Sequence, residues 1–205
     1  MFNKTVFIIS LISLMVSCKK TVVKEAQIVH KKYGKWEYIS DSLSVELQIE
    51  NFKNYKELVE RVERIKCNDS FPKLVLRKGD EIKSIYFQNF CYENYRCVLI
   101  KQRNTIQIYK DSIIKNDLFY PMDSLVSILK KDLENFGKVE SLCDNPEKLF
   151  IYISLNKNWS EKLPYAIDKL TEAYDEVSNN RGINIILEEW IEFANPLHPP
   201  VELVK

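Results

Sequence analysis

LFIYISLNKNWSEKLPYAIDKLTEAYDEVSNNRGINIIL, residues 149–187, is the stretch that decides the fold. Leu149, Ile151 and Ile153 alternate with Phe150 and Tyr152, so both faces of the opening run are apolar, which predicts a central strand covered on two sides. From about Ser160 to Val177 the apolar residues Leu163, Ile167, Leu170, Tyr174 and Val177 recur at helical spacing, with Pro164 admitted by its place in the first turn. INIIL, 183–187, is the next apolar run. Strand, helix and strand in that order make a right-handed βαβ unit with parallel strands.

Upstream, Pro121 opens a second helix whose stripe is Met122, Leu125, Val126, Leu129, Leu133 and Phe136, ended near Gly137. Before it, KLVLR (73–77), IKSIYFQNF (82–90), CVLIKQ (97–102) and TIQIYK (105–110) are separated by turns at Lys78-Gly79-Asp80 and Arg103-Asn104, the signature of an antiparallel meander. Asn54 with Glu57 is a capping box, after which Tyr55, Leu58, Val59, Val62 and Ile65 predict a helix to about Lys66. Leu43, Val45, Leu47 and Ile49 alternate as a half-buried strand. The expected architecture is α+β: a mixed sheet with an antiparallel meander and a C-terminal βαβ unit, with about three helices, in one domain over residues 34–205. The tail after Trp190, with Asn195-Pro196-Leu197-His198-Pro199-Pro200, reads as polyproline-like, either docking into a partner's groove or laid over its own domain.

Composition excludes several chemistries. The chain has 205 residues, 45% hydrophobic and 29% charged, with only 4 Gly. Gly34, Gly79, Gly137 and Gly182 are far apart, whereas a phosphate cradle needs several glycines within a handful of positions. The 2 histidines, His30 and His198, lie near the two ends, which removes HExxH zinc sites and a core Ser-His-Asp triad. No cofactor and no metal site is expected, and the near-neutral balance of 30 basic against 29 acidic residues implies no nucleic-acid partner.

The N-terminus carries the most specific signal. Lys4 is followed by an uncharged run, TVFIISLISLMVS (5–17), too short for the roughly 20 residues that cross a bilayer, and then by Cys18. Met15-Val16-Ser17-Cys18 resembles the lipobox of bacterial lipoproteins, although Leu14 stands one place too early for the usual leucine. That resemblance implies a signal peptide over 1–17 and an acylated Cys18 as the mature N-terminus. Residues 19–33 hold five lysines and one glutamate, so 18–33 reads as a lipidated basic tether. The chain resembles Bacteroidetes-type lipoproteins but lacks the acidic stretch after the cysteine that marks surface display. The resemblance therefore implies a lipid anchor in a bacterial membrane, the outer membrane favoured, with the body in the periplasm.

Residues 105–189 resemble the periplasmic domain of ExbD/TolR-type proteins in element order and apolar pattern. The family's proton-linked function depends on an acid within a transmembrane helix, and the run 5–17 has none, so only its habit of dimerising or binding periplasmic partners carries over.

Four cysteines remain once Cys18 is acylated. Cys91 with Cys97 is the expected disulfide, leaving Cys67 with Cys143, against the alternative of buried thiols packing as small hydrophobes. No pair has the CxxC spacing of a redox or zinc site. Tyr86, Phe90, Tyr92 and Tyr95 crowd into one hairpin and are the candidate partner-binding residues, because exposed aromatics anchor interfaces. The charged outer faces of the two later helices, including Lys130, Lys131, Asp132, Glu134, Glu172 and Asp175, read as solvated surface. The leading expectation is a non-enzymatic, lipid-anchored envelope module that binds a protein or glycan, with a homodimer possible. A carboxylate-dependent hydrolase using a pair such as Glu188-Glu189 or Glu172 with Asp175 is the alternative reading, and a purely structural lipoprotein is the third.

Overall fold

The computed structural model describes residues 28–35, 41–91, 99–156 and 159–189. Its elements in chain order are β1 (Val29–Tyr33), β2 (Ser44–Leu47), α1 (Tyr55–Cys67), β3 (Phe71–Lys78), β4 (Glu81–Tyr86), β5 (Thr105–Tyr109), β6 (Ser112–Lys115), β7 (Leu118–Pro121), α2 (Leu125–Leu133), β8 (Phe150–Leu155), α3 (Trp159–Val177) and β9 (Asn184–Glu189). The fold is α+β, with three α-helices and two mixed sheets among the described residues.

The sheets run β1-β4-β3-β2 and β7-β6-β5-β8-β9. They meet where the chain continues past β4: Phe87 pairs in parallel with Ile185 of β9, and the Gln88 amide donates to the Ile185 carbonyl at 2.7 Å. The Asn89 side chain then takes the place of a strand partner, donating to the Leu187 carbonyl at 2.6 Å and accepting from the Leu187 amide at 3.0 Å. As expected, β8 and β9 are parallel around α3. The meander expected over 73–110 is corrected: β3 and β4 form its one antiparallel pair among the described residues, while β5 leaves for the other sheet and makes an antiparallel meander with β6 and β7, two strands that the sequence reading did not assign.

All three helices share one face of the joined sheet, and the topology explains why. The steps from β5 to β8 to β9 move across the sheet in one sense, and the step from β2 to β3 moves in the other with reversed strand direction. Right-handed crossovers then place α1, α2 and α3 on the same side. Contacts agree: the Tyr55 and Trp159 rings, at the starts of α1 and α3, lie 6.0 Å apart. Against these helices the sheet presents Ile106, Ile108, Ile151, Ile153 and Ile185, each fully buried, and the helices supply Leu129, Leu163, Ile167 and Leu170, also fully buried. Each such side chain contributes about 1.5–3 kcal/mol relative to exposure.

The capping box forms as read: Asn54 Oδ1 accepts from the Glu57 amide at 2.9 Å, and the Glu57 carboxylate accepts from the Lys53 amide at 2.9 Å. Other readings are corrected. Val29–Tyr33, assigned to the tether, is a strand paired with β4, and Tyr33 is fully buried, so the body begins before Gly34. The described part of the strand expected over 97–102 is not a strand, and a 3-10 turn at Gln102–Asn104 leads into β5. Helix α2 stops at Leu133, leaving Phe136 outside its stripe and 64% exposed. Pro164 lies in the second turn of α3, because the helix opens one residue earlier than read, and it forgoes the bond to the Ser160 carbonyl.

Candidate interaction surface

Because side chains alternate along a strand, the register that sends Ile106, Ile108, Ile151 and Ile153 to the helices sends Gln107, Tyr109, Phe150, Tyr152 and Ser154 to the other face. Ile114 of β6, Phe119 of β7 and Ile186 of β9 join them in register. Phe87 faces the core, so Gln88 and Phe90 alternate onto the second face, where the Phe90 ring sits 6.0 Å from that of Phe150. Among the described residues, no helix packs on this side. Its centre is nonetheless dry, with Tyr86 and Ile186 each 2% exposed although neither belongs to the main core, while Phe90, Ile114, Phe119 and Phe150 around them are half-buried. Among the described residues, helices cover one face of β8, and no position of the strand on either face is exposed.

This second face differs chemically from the rest of a highly charged chain. Across β5, β6, β7, β8 and β9, Glu188 is its one charged position, at the rim, where burial pushes its carboxyl upward. The other positions offer aromatic rings, aliphatic side chains, hydroxyls and amides; Gln107 Nε2, for example, donates to Ser154 Oγ at 2.9 Å. Gln88 Nε2 is buried and finds no hydrogen-bond partner among the described residues.

Of the four aromatic residues expected to carry a partner contact, Phe90 lies on this face half-buried, whereas Tyr86 is too deeply buried to be a surface anchor. Tyr92 and Tyr95 fall outside the described residues, as does Cys18. The disulfide expected between Cys91 and Cys97 is also corrected: Cys91 pairs with Cys67 across a Cα separation of 4.9 Å. The bond joins the end of α1 to the chain just past β4. β3 begins four residues after Cys67 and lies beside β4, so the two cysteines are neighbours in space although remote in sequence. Cys143 is a buried free thiol that donates to the Asn145 carbonyl at 3.1 Å, and burial raises its pKa. Cys97 lies outside the described residues.

The helix-side face holds charges that the sequence reading gave to solvent. Asp168, Thr171, Glu172 and Asp175 form a polar stripe along α3 that meets Lys31, Lys78 and Lys83 of the β1-β4-β3-β2 sheet. Lys83, 5% exposed, reaches Asp168 at 2.5 Å and Thr171 Oγ1 at 2.9 Å. Lys78 bridges Asp168 at 2.6 Å and Glu172 at 3.2 Å. Burial opposes ionisation of Asp175, yet hydrogen bonds from Arg181, Lys31 and Tyr33 hold its pKa down at about 2. On α2, Asp132 is fully buried and pairs with Lys115 at 2.7 Å. Asp132 and Asp175 are thus internal ties, and a wide helix face spanning both sheets needs them because parts of those sheets present lysines.

These pairings also bear on catalysis by carboxylates. Asp175 and Glu172 are matched to cations, and the alternation of β9 sends Glu188 and Glu189 to opposite faces, so neither pair singled out in the sequence converges on a common point. Among the described residues, no group of three or more His, Cys, Asp or Glu side chains is placed to hold a metal ion. Comparison with protein-family models, with curated proteins and with solved structures finds no match to this chain.

Proposed function

We propose that this chain is a lipid-anchored interaction module of a bacterial cell envelope. Acyl chains on Cys18 hold it to a membrane, the outer membrane favoured, and its body in the periplasm binds an envelope protein or glycan without catalysing a reaction. The second face of the sheet carries this reading: a broad, almost uncharged surface with half-buried Phe90, Ile114, Phe119 and Phe150 on which no described helix packs. Interface centres favour aromatic side chains and deplete Lys, Glu and Asp, and this face matches that composition where the outer helix surfaces do not. The lipobox-like Met15-Val16-Ser17-Cys18 supports the anchor.

The test is affinity capture from the envelope fraction with the acylated full chain. A Phe119→Ala, Phe150→Ala pair on the face is compared with a Glu161→Ala, Glu176→Ala pair on the outside of α3, after all have been shown to unfold at similar midpoints. The face pair is expected to lose at least tenfold of the captured partner while the helix pair keeps it. The reverse result would replace this reading with docking on the helices.

A further inference from the structure

Of the eight exposed large apolar residues among the described ones, all but Leu43 and Tyr165 lie toward one end of the strands. Strands β1, β4, β5, β7, β8 and β9 all run in one direction, so their starting ends define one end of the body. Ile28 and Val29 open β1, Leu99 precedes β5, Leu118 opens β7, and Phe136 and Val139 lie in the loop that precedes β8; these six are 41–97% exposed. Hydrogen bonds gather several of them at that end: Asn116 Nδ2 donates to the Ser141 carbonyl at 2.7 Å and Arg103 to the Glu140 carbonyl at 3.1 Å.

The Phe136 loop is held in shape. Asn135, 4% exposed, accepts from the Val139 amide at 2.8 Å and donates to the carbonyls of Val139 at 3.0 Å and Cys143 at 2.7 Å, pinching off Phe136–Lys138 as an outward knuckle. Phe136 has φ 45° and Gly137 φ 75°, so a bulky side chain occupies a left-handed position that phenylalanine adopts at a cost while remaining 64% exposed. Lys130, Lys131 and Lys138, all exposed, are close to it in sequence, together with exposed Glu134 and Glu140. An apolar tip with lysines nearby suits the interface of a bilayer, where lysine stems lie along apolar surface and their heads reach the headgroups.

The chain also enters the body at this end. Cys18 and Ile28 are ten residues apart, a span of at most ~35 Å, so acyl chains on Cys18 keep β1 close to the membrane. We propose that this end is a lipid-contact site, with Phe136 and Val139 entering the interfacial layer of the bilayer to which Cys18 is anchored. The site orients the body and leaves the second sheet face, which runs along the strands, accessible from the side. The proposal rests on the reading of Cys18 as the anchor.

To test it, p-benzoylphenylalanine is placed at Phe136, or separately at Leu43, in the acylated full chain reconstituted in phosphatidylethanolamine–phosphatidylglycerol vesicles. Leu43, 48% exposed, precedes β2, which runs the opposite way and so starts at the far end. After irradiation, mass spectrometry is expected to find phospholipid adducts at position 136 at least tenfold above those at 43. Adducts to a second copy of the chain, lipid adducts equal at both positions, or none at 136 would each overturn the proposal. The same digest reports Cys18: an unacylated cysteine removes the anchor reading, whereas an acylated one without lipid adducts at 136 removes this proposal alone.

Discussion

Replacing Asp132 by Ala is expected to be among the most damaging single substitutions in the protein. Asp132 is 0% exposed and Lys115 is 5% exposed, with their charged atoms 2.7 Å apart. The second carboxylate oxygen accepts from the Cys143 amide at 2.9 Å, while Lys115 has one further partner, the Arg103 carbonyl at 2.6 Å. Deleting the acid leaves an ammonium group buried on a single carbonyl and orphans a buried N–H. Breaking one side of such a pair costs about 3–5 kcal/mol, a large share of the 5–15 kcal/mol that holds a domain together. With a urea slope of about 2 kcal/mol/M, the unfolding midpoint should fall by about 1.5–2.5 M. The double variant Asp132→Leu, Lys115→Met removes both charges; it leaves the Cys143 amide unsatisfied, a cost of about 1–3 kcal/mol, and takes one donor from the half-buried Arg103 carbonyl, but strands no buried charge. It should therefore be more stable than Asp132→Ala. Equilibrium urea unfolding by circular dichroism measures both. A loss below about 1 kcal/mol for the single variant, or a double variant no more stable than the single, would refute the assignment of this pair as a buried tie.

Three further outcomes are expected. Peptide mapping of unreduced protein should recover Cys67 linked to Cys91, with Cys143 alkylated only after denaturation; Cys91→Ser should cost about 3 kcal/mol for a loop closed over 24 positions. Asp175, whose pKa of about 2 lies below its ordinary 3.8, contributes stability that is fully present above about pH 4 and is lost as pH falls through about 2, so Asp175→Asn should flatten the acid limb of a stability–pH curve over that window. Gly34 has φ 99° and a Cβ there would lie 2.3 Å from the Tyr86 carbonyl oxygen, so Gly34→Ala should lower the thermal midpoint sharply, by more than about 2 kcal/mol in stability, and an unchanged midpoint would contradict the close approach of β1's end to β4.

Much of the fold could be read from local pattern. The Asn54 capping box, the α2 and α3 stripes and the parallel pair of β8 and β9 each follow from residues close in sequence. What escaped depends on tertiary context. Strand β1 is VHKKY, with two lysines among five residues, and its strand character comes from pairing with β4 and from Lys31 reaching Asp175 at 2.9 Å. The polar stripe of α3 has the same periodicity as a solvated face, and only the lysines of another sheet, more than 80 positions away, turn it into an interior contact. Phe136 fits the helical spacing of α2, but the two left-handed residues Phe136 and Gly137 end the helix and turn the ring outward. The aromatic hairpin drew attention to Phe90, yet the surface it belongs to is completed by Phe119 and Phe150, which nothing local connects to it. Which face of β8 lacks helices follows from crossover handedness applied to a strand order that the sequence does not spell out.

Both the module reading and the membrane-facing end depend on Cys18, so intact-mass and N-terminal peptide analysis of the protein from the membrane fraction is the most direct measurement. The expected result is a mature chain that begins at Cys18 and carries acyl groups on it, with a Cys18→Ser variant recovered in the soluble fraction. A mature chain starting at another residue with no lipid, or a Cys18→Ser variant that still sediments with membranes, would contradict the account.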